Sequence, residues 1–267
     1  MIAAERRRQI HSRVIENGSV SVAELAEMLG VGAETIRRDL DELDSQGKLI
    51  RSHGGAIAHL QDIARLPYSQ VRAERMAEKG WIGRAALDYV PDSGKVFLGA
   101  GSTVYQLAML VPEDHPIHVV TPSPEMGLYL VTKKRVGVAL LGGEIRPDAF
   151  STDGGLSEEA AEMLLFDVAL VGLAGVDIRH GITAIDMPAA VFERKIIEHS
   201  NSVIALCDSS KLGRSSYAKL GPVDLLTTLI TDRGVDPDLA EEIRAQGVEV
   251  VVVGPDRGEQ TEAAMRN

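Results

Sequence analysis

The chain has 267 residues, enough for one large domain or two unequal ones. Its apolar content is aliphatic (45% hydrophobic, 4% aromatic), no apolar run approaches the ~18–20 residues that cross a bilayer, and the lone Cys207 excludes a disulfide framework or a cysteine zinc site within one chain. The net charge of −11 opposes indiscriminate nucleic-acid binding, yet residues 1–56 hold eight Lys/Arg against nine Asp/Glu, so the acid lies mainly beyond them. A charged N-terminus without an apolar core segment leads us to expect no signal peptide, no membrane partner and a cytoplasmic protein.

Residues 3–17 read as a helix with Ile10 and Val14 facing inward. Arg6, Arg7 and Arg8 at its start are either a solvated basic end or phosphate contacts. Ser21 and Glu24 fit a capping box, and Val22, Leu25 and Leu29 give the next helix one apolar face. Gly30-Val31-Gly32 breaks it. A second helix begins near Ala33, buries Ile36, Leu40 and Leu43, and ends at Gly47. Gly54-Gly55 between short apolar runs predicts a narrow hairpin over 48–57. Two short helices and a hairpin make a winged helix-turn-helix.

In that arrangement Arg38 points away from the core, with Thr35 and Arg37 flanking it, in the turns that approach base edges in a major groove. An Arg binds guanine through two hydrogen bonds worth about 1–3 kcal/mol of discrimination. Thr35 suits a thymine methyl or a phosphate, and Lys48, Arg51 and His53 on the hairpin suit the backbone or minor groove. Ser21 completes the expected DNA-binding set. An ordinary helical hairpin with solvated arginines shares the pattern.

The string TIRRDLDEL (Thr35 to Leu43), then GKLIRSHGGA (Gly47 to Ala56), after VSVAELAEMLGV, resembles the signature of the DeoR family of bacterial transcription regulators. Gly32 stands where that family usually carries a capping Ser, and Gly is an acceptable N-cap. The resemblance implies double-stranded operator DNA as a partner.

Residues 58–78 carry dispersed charge around Pro67 and read as a linker with helical pieces. Arg72 and Lys79 fit a sparse R…K pattern of the family there. From 79 to 254 apolar β-branched runs at 96–98, 117–120, 136–141, 168–173, 203–206, 229–231 and 248–253 alternate with helical stretches at 81–90, 104–110, 125–131, 189–199 and 237–246. This predicts an α/β domain with a mainly parallel sheet covered on both faces. The tail 255–267 reads as loose.

Ligands of such sheets bind beyond the strands' carboxyl ends. Gly101, Ser102 and Thr103 before a helix suit a phosphate, although small-residue turns there are common. Thr121 and Ser123, Gly142, Asp177 and Lys211 occupy the other strand ends. Lys211 is either a point-charge ligand for phosphate or a solvated turn residue. The DeoR resemblance extends here: it implies a sensor domain with the fold of ribose-phosphate isomerase and glucosamine-phosphate deaminase. GST at 101–103 matches their phosphate loop, and DSSKLG at 208–213 matches a family motif that puts Lys211 in the pocket. Asp177 would then meet sugar hydroxyls.

Asp177, Asp186 and Glu144 are the possible proton-moving groups, but the isomerase's DGADE-like and KGGGGA-like signatures are absent from the sequence. Seven histidines show no metal-ligand spacing, so no catalytic residue, metal or cofactor is expected. The resemblance implies a repressor of a carbohydrate or polyol operon, acting as a homo-oligomer and relieved by a phosphorylated sugar. The competing reading is an isomerase-like enzyme carrying a DNA-binding module.

Overall fold

A computed structural model describes residues 2–17, 19–52, 54–57, 74–146 and 149–255. The chain divides into two compact units, Met1–Gln70 and Val71–Asn267.

In the first unit, helix α1 (Ala3–Asn17) is followed by strand β1 (Ser19–Ser21), α2 (Val22–Leu29) and α3 (Ala33–Ser45). The capping box forms as expected: Glu24 Oε2 accepts from the Ser21 N–H at 2.8 Å, and the Glu24 N–H donates back to Ser21 Oγ at 3.2 Å. Helix α3 ends in a left-handed turn. Gly47, at φ +65°, donates to Asp44 O at 2.8 Å, and Lys48 donates to Leu43 O at 2.9 Å, which satisfies two terminal carbonyls. Strands β2 (Ile50–Ser52) and β3 (Gly55–Ile57) form the predicted hairpin. The short β1 adds to it, so the sheet order is β1-β3-β2, all antiparallel. Ile10, Val14, Leu25, Ile36, Leu40, Leu43 and Leu49 are all buried in one core.

The second unit starts with α4 (Met76–Ala86), capped by Arg75. The helix therefore begins before the domain border expected at 79. All seven expected strands are present: β4 (Gly94–Leu98), β5 (Ile117–Thr121), β6 (Gly137–Leu140), β9 (Val168–Val171), β12 (Val203–Leu206), β14 (Thr228–Asp232) and β15 (Glu249–Val253). They pair in parallel in the order β15-β14-β12-β9-β4-β5-β6. Connectivity runs outward from β4 to β6, then returns to β9 on the other side of β4. The switch point thus lies between the carboxyl ends of β4 and β9.

Alternate strand residues feed two cores. Val96, Leu98, Val119, Leu170, Ile204 and Leu206 pack with α4, α5 (Ser102–Leu110) and α6 (Pro124–Leu130). On the opposite face, Phe97, Val120, Ala169, Val171 and Ala205 pack with α7 (Gly155–Glu162), α8 (Met187–Glu198) and α9 (Pro237–Ala245). Such two-sided burial is why these strands read as nearly unbroken apolar runs.

The short antiparallel elements were not anticipated. Hairpin β7 (Glu144–Arg146) with β8 (Ser151–Asp153) follows β6. A separate sheet joins β10 (Gly175–Asp177), β11 (Gly181–Ala184) and β13 (Ala218–Gly221). Among the described residues no helix is long and apolar enough to cross a membrane.

Candidate functional site

The outer face of α3 carries the expected readers. Gly32 is its N-cap, with extended backbone and no side-chain cap bond. Arg38 is 80% exposed and Arg37 54%; both lean toward Glu34, at 3.9 and 3.0 Å. Exposed pairs of this kind are worth only about 0–1 kcal/mol, so phosphate or guanine can displace them. Thr35 is half-buried beside them, and Lys48 is exposed on the turn after α3.

Two of the expected contacts, Ser21 and Arg51, are engaged within the protein. Both the backbone N–H and the hydroxyl of Ser21 are committed to Glu24, and these two bonds hold the Glu24 carboxyl below its ordinary pKa. Arg51 braces the hairpin to α3: its Nε donates to Asp41 Oδ1 at 2.8 Å and its Nη1 to Gly55 O at 2.8 Å. His53 lies outside the described residues. The first two α1 arginines are engaged within the protein. Arg6 Nε and Arg7 Nε donate to the two carboxylate oxygens of Asp39, at 2.5 and 3.2 Å, and Asp39 is only 4% exposed. They fix α1 to α3. Arg8 is 75% exposed and pairs with Glu5.

In the second unit the switch point is framed by small residues. Gly99 N–H donates to Leu170 O at 3.0 Å. Gly101 has φ +141° and caps α5, a conformation that an L side chain rarely adopts. Ser102 and Thr103 open that helix and are buried. A Cβ on Gly172, just beyond β9, would sit 3.9 Å from Ala100 O and 4.0 Å from Leu206 O, so the ends of β4, β9 and β12 converge there.

Charge gathers beside them. Asp208, after β12, accepts from the Ser210 N–H at 3.0 Å, and Lys211 closes that turn by donating its N–H to Asp208 O at 3.0 Å. Arg75 reaches Asp208 at 3.5 Å, Asp232 at 3.1 Å and Ser209 Oγ at 2.9 Å. Burial works to raise the Asp232 pKa, but N–H bonds from Ser209 and Gly234, the Ser209 hydroxyl and Arg75 win and hold it low. Lys79, one helical turn on from Arg75, is 3% exposed. Burial pushes its pKa down, Asp208 opposes, and Lys211 pushes it further down. Arg75, Lys79 and Lys211 therefore gather around Asp208, with Asp232 and Glu78 also paired to Arg75. Neither Arg75 nor Asp232 was anticipated as a site residue. Lys79 had a signal in the R…K pattern, while its partner Arg72 lies outside the described residues. Cys207 beneath this turn is inert: burial pushes its thiol up to about 12.

The remaining expected ligands are used structurally. Thr121 Oγ1 accepts from the Ser123 N–H at 3.1 Å, and Ser123 Oγ caps α6 by accepting from Met126 N–H at 3.3 Å. The Gly142 carbonyl accepts from Ser157 Oγ. Asp177 ends a strand of the small antiparallel sheet, where the His180 N–H donates to it at 2.8 Å and keeps its carboxyl below the ordinary value.

Residues 6–61 match the model of the DeoR-like helix-turn-helix domain, and 74–233 match the DeoR C terminal sensor domain. The chain belongs to the DeoR family. DeoR regulators similar to it over nearly the whole length include the HTH-type transcriptional regulator GlpR of Haloferax volcanii, 33% identical over 94% of this chain and 98% of that one. Another is the uncharacterized regulator YulB of Bacillus subtilis, 30% identical over 95% and 98%. The glycerol-3-phosphate regulon repressor of Escherichia coli K12 is 30% identical over 84% and 90%. Ribose 5-phosphate isomerase A from Neisseria gonorrhoeae overlaps 54% of each chain at 19% identity with a TM-score of 0.37, too low to bear on mechanism. The protein is thus a DNA-binding transcription regulator with an α/β sensor domain.

Proposed function

We propose that this DeoR-family chain is a cytoplasmic repressor of a carbohydrate or polyol operon, released from its operator by a phosphorylated sugar or polyol. The observation that carries the ligand class is the convergence of Arg75, Lys79 and Lys211 on Asp208, beside the helix start at Gly101-Ser102-Thr103. A phosphate there would gain backbone N–H donors, two hydroxyls and cations that burial has partly stripped of water. The names of relatives, repressors of the glycerol-3-phosphate regulon and of an aga operon, point the same way.

Thr35, Arg37 and Arg38 would read base edges, with Lys48 on the backbone. A homo-oligomer follows from pairing a symmetric operator with a symmetric protein. The ligand acts only if it binds the operator-free state more tightly than the bound one. The competing enzyme reading would need a proton-moving group in the pocket. Asp177 is turned to His180, and turnover of ribose 5-phosphate would reveal any other.

The deciding measurement is binding to DNA upstream of the protein's own gene and adjacent operons, with a panel of sugar and polyol phosphates beside the free sugars. Specific binding reversed by one phosphate is expected. Lys211→Ala should bind DNA normally and shift the dose response at least tenfold; an unchanged dose response removes Lys211 from the pocket. Arg37→Ala with Arg38→Ala should abolish sequence selectivity.

A further inference from the structure

Hairpin β7–β8 is seated beyond one half of the parallel sheet. The Thr152 N–H donates to Pro122 O at 2.8 Å, and its hydroxyl donates to Leu141 O at 2.6 Å. Those carbonyls directly follow β5 and β6. Arg146 of the hairpin holds Asp153 at 3.3 Å and, at 2.6 Å, Asp186, the N-cap of α8. The start of α8 is thereby tied to the β5 and β6 side of the sheet.

Residues 190, 193, 196 and 197 share one face of α8. Ala190, Ile196 and Ile197 are buried apolar side chains, and the fourth member of that stripe is Glu193. Its Oε2 is buried and has no hydrogen-bond partner among the described residues, which is unfavourable until something supplies one. Asp186 and Arg146 act on its charge from the hairpin side. On the other side lies Cys207, just past β12, whose thiol is raised by burial and further by Glu193. In the order β12-β9-β4-β5-β6, a group that acts on both sides lies over the ends of β9 and β4. That is the switch point, framed by Gly101-Ser102-Thr103 and the turn at Asp208.

Burial, with Asp186 adding and Arg146 opposing, pushes the Glu193 pKa up to about 8. At neutral pH one carboxyl oxygen then donates and the other accepts, a pattern that a sugar hydroxyl matches. Arg146 is outnumbered by Asp153 and Asp186, and Lys195 on α8 is taken up by Glu158 and Glu162. This end of the pocket is therefore net negative, opposite in sign to the end at Lys211.

We propose that Glu193 binds the hydroxyls of the effector, so that the effector is a monophosphate ester with an uncharged, hydroxylated tail. This rests on the phosphate reading of the same pocket and narrows it. The phosphate lies toward Ser102 and Lys211, and the tail reaches Glu193. A second phosphate, or a carboxylate on the tail, would meet Asp153 and Asp186 and be repelled.

The test is calorimetric titration of the full-length protein with a panel of sugar and polyol monophosphates, beside inorganic phosphate, fructose 1,6-bisphosphate and 6-phosphogluconate. The tightest wild-type ligand should be a monophosphate with an uncharged tail. Glu193→Met should weaken that ester about tenfold or more and leave inorganic phosphate within about twofold. Glu193→Gln keeps a donor and an acceptor and should hold the ester within about threefold of wild type. Unchanged ester binding in Glu193→Met would overturn the hydroxyl subsite and leave the phosphate end standing. So would a preference of the wild type for the bisphosphate or the sugar acid, a ranking that needs no variant. Wild-type protein that binds no member of the panel would instead overturn the phosphate reading, and the role of Glu193 with it.

Discussion

In the DNA-reading unit, Asp39 sits buried between Arg6 and Arg7, with a carboxylate oxygen for each guanidinium. In the sensor unit, Asp208 also sits buried among cations, but at a different place in the fold. Arg75 divides its guanidinium among Asp208, Asp232 and Glu78, and Lys79 is buried close to Lys211 with its charged form disfavoured. The first cluster lies between two helices and ties α1 to α3. The second lies where the ends of β4, β9 and β12 converge, beyond the carboxyl ends of parallel strands, where open sheets bind ligands. The contrast teaches that a buried carboxylate with arginines is not a site by itself; what matters is where in the fold the cluster lies.

The sharpest way to break this comparison is Asp39→Ala. Removing one partner of a buried ion pair leaves uncompensated charge, at a cost of about 3 kcal/mol at the low end of the range for such losses, since Arg7 can still reach solvent. Hydrogen exchange should show faster opening of α1 and α3 with the sensor sheet unaffected. Unchanged protection would mean that Asp39 carries no structural weight.

A third cluster extends the comparison to a carboxylate without enough cation. Arg146 pairs with Asp186 at 2.6 Å and Asp153 at 3.3 Å. Glu193 nearby keeps a buried Oε2 with no hydrogen-bond partner. Burial, aided by Asp186 and opposed by Arg146, pushes its pKa up to about 8. The folded state therefore holds this proton more tightly than the unfolded chain does. The stability that comes with the proton is fully present below the ordinary value of 4.5 and is lost as pH rises through about 8. Glu193→Gln stays neutral throughout, so it should gain on the wild type by about 2–4 kcal/mol between pH 5 and 9, each tenfold difference in proton affinity being worth roughly 1.4 kcal/mol. Parallel melting curves across that range would show that Glu193 finds a partner in solution.

Lys79→Met sharpens the comparison from the functional side. Methionine keeps most of the length and removes a charge that burial disfavours and Asp208 favours, so sensor stability should fall by less than the ~3 kcal/mol expected of Asp39→Ala. Release from DNA by phosphate esters should nevertheless weaken at least tenfold. A large loss of stability would place Lys79 with Asp39 as a structural group.

The same contrast explains what was legible in the sequence. Strands buried on both faces, such as Val168–Val171 and Val203–Leu206, announce themselves as apolar runs. Gly181–Ala184 and Ala218–Gly221 do not: four-residue strands bounded by glycine resemble turns, and their pairing is set by tertiary contacts. Lys211 was legible through its motif, whereas Arg75 was hidden in a charged stretch that reads as linker. For Ser123 the signal was present but read for another use. A Ser followed by Pro124 at a helix start marks an N-cap, and the structure spends its hydroxyl there.

The smallest expected effect lies at Gly32, and it separates helix capping from DNA contact within one residue. Gly32 is extended, with φ −67° and ψ 146°, and a Cβ there would meet nothing within 4 Å. Serine fits without strain, and its hydroxyl can accept an N–H of the first turn of α3. Because glycine is already a fair cap, Gly32→Ser should stabilise the unit by only a few tenths of a kcal/mol, about 0.3. If the hydroxyl serves the helix alone, the salt slope of DNA binding stays as it was. A hydroxyl bond to phosphate releases no counterion either, so affinity is the discriminating readout: tighter binding at constant slope would mean that position 32 touches the backbone. Since α3 begins at this residue, that outcome would also fix which end of the reading helix lies against the DNA.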